Sequence, residues 1–244
     1  MLVESSTSTT FERDGYYVAE NLFSPTEMQN AKEEVRRVLA EVKAEQEKAG
    51  HAKGVDNGVY VGLSIRSALF RALNADARVL DIWQEIFGPN IEFWSDKIVY
   101  KSASVDFGSP WHQDWQYWKG ANKYSVWIAL DDATPENGCL KFIPGSHKSV
   151  KDHGGKDEEG VGFTNRMRRE DVDENKAVVV PAARGSAVFF HDLTLHSSFP
   201  NKSGKDRWAL ISTYRDASKD DIPYDFAKAA FLARGTRTGK VLSQ

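Results

Sequence analysis

The sequence predicts a mainly β chain with flanking helices, built as an antiparallel sandwich or barrel. Three observations point there. Short runs rich in β-branched and aromatic residues recur at regular spacing from residue 91 to residue 214. Turn formers separate them, as in Pro135-Glu136-Asn137-Gly138, Pro144-Gly145-Ser146 and Arg184-Gly185. Strands at this spacing argue against βαβ units, and 244 residues suit one large β domain.

In chain order, residues 1–10 read as a polar tail. Ser24 is a helix cap and Pro25 a first helical residue, and Val35, Val38, Leu39 and Val42 share one face of a helix running to about Ala49. A second helix is expected over Ala75–Phe87, carrying Val79, Leu80, Ile82 and Trp83 and stopped by Gly88-Pro89. Strands are expected at 91–100, 124–130, 139–143, 177–181, 186–190 and 208–214. Between them, 151–176 is a long polar insertion with Gly154-Gly155, an acidic run and Arg166-Met167-Arg168-Arg169, and is expected to be a lid or a flexible segment. The tail beyond Ile222 is expected either to cover the barrel or to join a dimer.

Composition narrows the function classes. A net charge of −3 gives no basis for nucleic-acid binding. The single Cys139 cannot form an internal disulfide, which favours a reducing compartment. No basic, apolar leader opens the sequence and no apolar stretch reaches membrane-spanning length, so a cytoplasmic protein is expected.

The chemistry concentrates in Trp111-His112-Gln113-Asp114-Trp115. On a strand, residues i and i+2 face the same side, about 6–7 Å apart, so His112 and Asp114 can reach one metal ion. A second histidine from elsewhere completes a 2-His-1-carboxylate triad, which leaves three positions of an octahedral iron open and suits non-haem Fe(II) oxygenases. Both His191 and His196, at a strand end, qualify as that partner. Arg207 opens an apolar strand, where a guanidinium is either a surface group or an inward-facing grip for a carboxylate. Trp115, Tyr117 and Trp118 form an aromatic patch beside the motif and are candidate substrate contacts, as is Arg168 of the insertion.

Pro110-Trp111-His112-Gln113-Asp114, Trp127, Asn137-Gly138-Cys139-Leu140, Ile143-Pro144-Gly145-Ser146-His147-Lys148 and His196 with Ser198, Asn201, Ser203 and Arg207 follow in an order that resembles the phytanoyl-CoA dioxygenase family over residues 10–215. The resemblance implies a double-stranded β-helix (jelly-roll or cupin-like) core and an Fe(II)- and 2-oxoglutarate-dependent dioxygenase. His112, Asp114 and His196 would hold iron, and Arg207 would bind the distal carboxylate of 2-oxoglutarate, with Ser198, Trp127 and Gln113 near the co-substrate. His196 and Arg207 keep the family's eleven-residue interval, and His191 does not. Lys101 lies near a lysine that many members carry, and His147 falls in a turn where it is expected to hydrogen-bond a loop. Because Asp114 is present, the resemblance implies oxidation of a C–H (hydroxylation, desaturation or cyclisation) rather than halogenation. Oxygen would be consumed and succinate and CO₂ released. The expected partner is a small-molecule metabolite, with no nucleic acid or membrane and a monomeric or homodimeric state. The competing class is a non-redox cupin-like isomerase or binding protein, which would need no Arg207 in the pocket.

Overall fold

The computed structural model describes residues 6–49, 58–103, 108–155, 166–224 and 227–242. Its elements are α1 (Thr7–Asp14), β1 (Tyr16–Ala19), α2 (Pro25–Lys48), β2 (Val59–Val61), α3 (Leu63–Arg66), α4 (Ala68–Leu73), α5 (Ala77–Phe87), β3 (Ile91–Lys101), α6 (Trp115–Trp118), β4 (Tyr124–Ala129), β5 (Leu140–Phe142), β6 (Val178–Val180), β7 (Ala187–His191), β8 (His196–Ser198), β9 (Arg207–Asp216) and β10 (Phe231–Arg234). The larger sheet runs β1-β7-β4-β9-β3-β10, with β2 also on β3, and the smaller runs β6-β5-β8. Every pairing is antiparallel.

Strand periodicity sorts the larger sheet into two buried faces. Val126, Ile128, Phe189, Leu210 and Tyr214 face the helices, where they pack with Met28, Val35, Val38 and Trp83. Alternate residues Trp127, Ala129, Val188, Phe190 and Ala209 face the smaller sheet and meet Leu140, Phe142 and Val180. With both faces covered, the central strands lack the polar alternation of a half-exposed sheet.

The long helix forms where the cap residues predict it. Ser24 Oγ accepts the Glu27 amide (3.2 Å), the Glu27 carboxylate accepts the Ser24 amide (2.8 Å), and Pro25 takes the first turn. The second predicted helix begins at the Asp76 cap and stops at Gly88, whose φ is 102°.

Two expectations about the termini and one about the metal motif are revised. Residues 7–10 belong to helix α1, because the Ser6 hydroxyl caps it and buried Phe11 anchors it edge-on to Trp83. Beyond Ile222 the described residues place β10 on β3 at the edge of the larger sheet, and Val241 forms an isolated bridge to Asp221. His112 and Asp114 do not share a strand. His112 sits in an isolated bridge, and Asp114 has helical dihedrals (φ −62°, ψ −30°) at the start of α6. Of the 151–176 insertion, both ends are packed: at the start the Lys151 amide donates to Gln113 Oε1 at 2.8 Å, and towards the finish Met167 and Val172 join Trp111 and Leu195, with the Met167 amide donating to the Trp111 carbonyl at 2.9 Å. Residues 156–165 lie outside the described residues, so the lid expectation for the middle of the insertion falls there.

Candidate metal centre

The backbone first brings the two histidines together. The His112 amide donates to the His196 carbonyl and the His196 amide to the His112 carbonyl, both at 3.0 Å, so the two residues are held directly opposite each other. Their ring centroids are 4.2 Å apart. Each ring is then oriented by its own chain: His112 Nδ1 lies 2.8 Å from the Pro110 carbonyl and His196 Nδ1 2.8 Å from the Thr194 carbonyl. A carbonyl only accepts, so both Nδ1 atoms donate and both Nε2 lone pairs are left for a ligand.

Asp114 completes the group. Its Oδ1 is 3.4 Å from His112 Nε2 and 3.9 Å from His196 Nε2. One ligand atom from each of the three residues lies within 4.8 Å of the others, and all three side chains are buried. Helical dihedrals at Asp114 turn its carboxylate back toward His112, which an extended backbone does by alternation instead. Burial opposes the Asp114 charge, yet His196, the contact with His112 and the charge of Lys97 outweigh it and hold the carboxyl well below its usual range. Burial, reinforced by His112, pushes the His196 imidazole down to about 4, so it stands neutral and ligand-competent at neutral pH.

The group opens into a cavity of about 140 Å³ between the sheets, whose wall includes Lys97, Val99, Lys101, Ser109, Trp127, Ser198, Arg207 and Ile211. Val59, 43 % exposed, stands on its rim. Arg207 is 2 % exposed and lies over the Trp127 ring, 5.4 Å from its centroid. Its Nη2 donates to the Gly138 carbonyl at 3.0 Å and its Nε reaches the Asn137 carbonyl at 3.5 Å, while Nη1 is buried with no partner among the described residues. Burial pulls its pKa down to about 10. The turn that supplies these carbonyls needs its glycine: a Cβ on Gly138 (φ 99°) would sit 2.7 Å from Lys101 Cδ and 2.8 Å from the Phe199 carbonyl. Lys101 Nζ donates to Ser198 Oγ at 2.9 Å and to the Phe199 carbonyl, and Ser198 Oγ also lies 2.7 Å from Ser109 Oγ.

The structure thus brings His112, Asp114, His196, Arg207, Ser198, Trp127 and Lys101 to one cavity. His191 points elsewhere: its Nδ1 accepts the Leu193 amide at 3.0 Å and its ring packs on Tyr124 and His147. His147 packs against the Gly15 turn and the His191 ring, and its buried Nδ1 has no hydrogen-bond partner among the described residues.

Other expected contacts lie outside the cavity. Gln113 is fully buried with its carboxamide spent on backbone: Nε2 donates to the Ser149 and Leu193 carbonyls (2.9 and 2.6 Å) and Oε1 accepts the Lys151 amide (2.8 Å). It clamps the start of the insertion and does not border the co-substrate space. Trp118 turns away because its Nε1 donates to Asp192 Oδ2 at 2.9 Å, and its ring meets Trp94 edge-on. Trp115 Nε1 donates to the Gly120 carbonyl at 3.2 Å. Tyr117 alone of the three touches the metal group, edge-on to His112 with centroids 6.2 Å apart. Arg168 lines a separate outer cleft of about 640 Å³ and is paired with Asp171 at 2.7 Å. The cleft and the cavity meet at Ser109. Sequence reasoning missed Lys97, although Lys97, Val99 and Lys101 alternate onto one face of β3.

Comparison with known proteins agrees with this geometry. The family "Phytanoyl-CoA dioxygenase (PhyH)" matches residues 11–209. The phytanoyl-CoA dioxygenase domain-containing protein 1 homolog of Caenorhabditis briggsae is 27 % identical, over 82 % of this chain and 86 % of that protein. The probable alpha-ketoglutarate-dependent hypophosphite dioxygenase of Stutzerimonas stutzeri is 29 % identical, over 83 % of this chain and 75 % of its own length. Among solved structures, the apo form of the non-heme monooxygenase ThoJ superposes with a TM-score of 0.76 at 24 % identity, over 97 % of this chain and 86 % of that one, which shows a common fold. The chain belongs to the phytanoyl-CoA dioxygenase family and is a non-haem iron, 2-oxoglutarate-dependent dioxygenase with a jelly-roll core.

Proposed function

We propose that this chain oxidises a C–H bond of a small-molecule metabolite, with His112, Asp114 and His196 as the iron ligands and Arg207 as the anchor of 2-oxoglutarate. The observation that carries the reading is the buried guanidinium of Arg207, whose Nη1 has no partner and which faces the same cavity as the two histidines. An unpaired buried cation costs stability unless a ligand answers it, and a carboxylate does so bidentately. A non-redox cupin-like protein has no use for that group. The donor set fits iron as well: two imidazoles and one carboxylate leave positions open for a chelating co-substrate and oxygen.

When bound, iron would couple the reduction of O₂, the oxidant, to oxidation of 2-oxoglutarate to succinate and CO₂ and to oxidation of the substrate C–H. The residues do the rest. Pro110 and Thr194 hold the two imidazoles in the tautomer that presents Nε2. Arg207, over the Trp127 ring, fixes the far end of the co-substrate, and Ser198, held by Lys101 and Ser109, lines the same end. Val99, Leu140, Phe190 and Ile211 exclude water from the middle of the cavity, which protects the oxidation from side reactions.

No helix among the described residues is long and apolar enough to cross a membrane. Cys139 is a buried free thiol pushed up to about 11 by burial, which makes it packing and no nucleophile. The lone cysteine supports a cytoplasmic setting, and a site closed by one chain supports a monomer or a homodimer with separate centres.

The test is anaerobic addition of Fe(II) and 2-oxoglutarate. A weak visible charge-transfer band is expected, followed in air by succinate. His112→Ala or Asp114→Ala should abolish the band, lose bound iron and lower turnover by roughly 10³-fold or more, since the metal contributes several kcal/mol. No band and no succinate from the wild-type protein would sink the reading.

A further inference from the structure

Lys97 is the cavity residue that neither the fold nor the co-substrate explains. It lies on β3 with Val99 and Lys101, every second residue of one strand face, and all three line the cavity. Its ammonium has no ion pair or hydrogen bond among the described residues. It is close enough to the metal group for its charge to favour ionised Asp114 and neutral His196.

The two cationic ends of this strand face are differently answered. Lys101 is tied to Ser198 and to the Phe199 carbonyl, and it stands opposite Arg207 in the β3–β9 register. Lys97 stands four residues away, about 13 Å along the strand, opposite Ile211. The apolar side chains of Val99 and Ile211 lie between the two ends. A single 2-oxoglutarate gripped by Arg207 therefore leaves Lys97 without a partner.

The charge balance of the wall says what that partner is. Lys97, Lys101 and Arg207 are its cations and Asp114 is its one carboxylate. A divalent iron and a dianionic co-substrate cancel each other, so loading the site leaves the wall's excess of positive charge in place. In a partly enclosed cavity such an excess draws in an anion.

Resting on the oxygenase reading, we propose that Lys97 receives an oxyanion of the oxidised substrate, a carboxylate or a phosphonate-type group. The reaction then takes a small anionic metabolite, held by its charge at Lys97 with a neighbouring C–H presented to the metal. Lys97 sets specificity and carries no proton in the chemistry.

Calorimetric titration tests this on full-length protein loaded anaerobically with Fe(II) and saturating 2-oxoglutarate. The probes are butyrate, methylphosphonate and neutral butyramide; the two oxyanions separate a carboxylate site from a phosphonate site. At least one oxyanion should bind, and butyramide more weakly. Lys97→Gln should weaken that oxyanion about tenfold or more, as loss of a hydrogen bond to a charged group does, while Lys97→Arg retains it. The affinity for 2-oxoglutarate, read from the charge-transfer band, should stay unchanged in both variants. Three results would overturn the proposal: no binding of either oxyanion to wild type, equal binding to Lys97→Gln, or a matching loss of 2-oxoglutarate affinity in Lys97→Gln. If no band forms at all, the oxygenase reading fails on its own. The same titration in metal-free Arg207→Met protein, with and without Lys97→Gln, then decides on Lys97, because the competing guanidinium is gone.

Discussion

Two polar clusters sit back to back on strands β3 and β9, one fully buried and one lining the cavity, and they are completed to different degrees. On the helix side, Asp96 accepts the Ser64 amide (3.0 Å), the Ser64 hydroxyl and Asn74 Nδ2 (3.0 Å), Ser212 Oγ donates to Asn74 Oδ1, and Tyr214 donates to the Asn74 carbonyl at 3.0 Å. On the cavity side, one residue along from Asp96, Lys97 meets no partner among the described residues, and Arg207 keeps an unanswered Nη1. The first cluster joins the sheet to α3 and to Asn74, which follows α4. The second is held open by the same strands. A buried polar group whose every atom is satisfied stabilises the fold, whereas one left short marks where a ligand belongs.

The largest expected effect breaks the satisfied cluster. Asp96→Ala strands the Ser64 and Asn74 donors and should cost about 3 kcal/mol in urea unfolding. Iron and 2-oxoglutarate binding per folded molecule should be unaffected. A loss near zero would show that the two clusters do not differ in kind.

Acid probes the open cluster by sign. The His196 pKa is lowered on folding, so between about 6.5 and 4 the unfolded chain takes up a proton that the native site refuses. Stability of the metal-free protein should therefore be full above pH 6.5 and fall as pH drops toward 4, by up to about 3 kcal/mol. Asp114, also held low, should add a further loss below its usual range. Denaturant midpoints at pH 7 and 4.5 measure this, and His196→Gln should flatten the upper step.

Arg207→Met sharpens the contrast, because its two effects run in opposite directions. Removing an unpaired buried cation should stabilise the metal-free protein by about 1 kcal/mol, while affinity for 2-oxoglutarate falls about a hundredfold with iron retained. A clear loss of stability instead would make Arg207 a structural residue. Smallest is Trp118→Phe, which deletes the bond to Asp192 and should cost about 1 kcal/mol with kcat/KM unchanged. A specific loss of kcat/KM would restore Trp118 as a substrate contact.

Much of this site was legible in the sequence because its chemistry needs particular residue types. A His-x-Asp pair, a distant histidine and an arginine at a set interval can be read without coordinates, and the strands carrying them have the expected composition. What was not legible depends on direction. Gln113 lies inside the motif, yet its carboxamide points into backbone that only the folded chain brings near. Trp115 and Trp118 look like a binding surface in one dimension, and in the fold their indoles are tied to the Gly120 carbonyl and to Asp192. Asp114 reaches the histidines by a helical turn, where strand alternation had suggested the same outcome by another path. Lys97 was overlooked because a lysine in a strand reads as solvent-facing until its strand face is seen to line the cavity.

The reciprocal amide–carbonyl pair between His112 and His196 has a consequence for how the molecule is assembled. It joins segments separated by β4 to β7 and the whole insertion, so the metal group cannot exist until those intervening strands have found their places. An ion bound there spans the same junction from the side-chain side and adds a second closure to a very long loop. Loading the metal thus reports that β4 to β7 have closed between the two histidines, and a chain misregistered there is disfavoured from acquiring the metal.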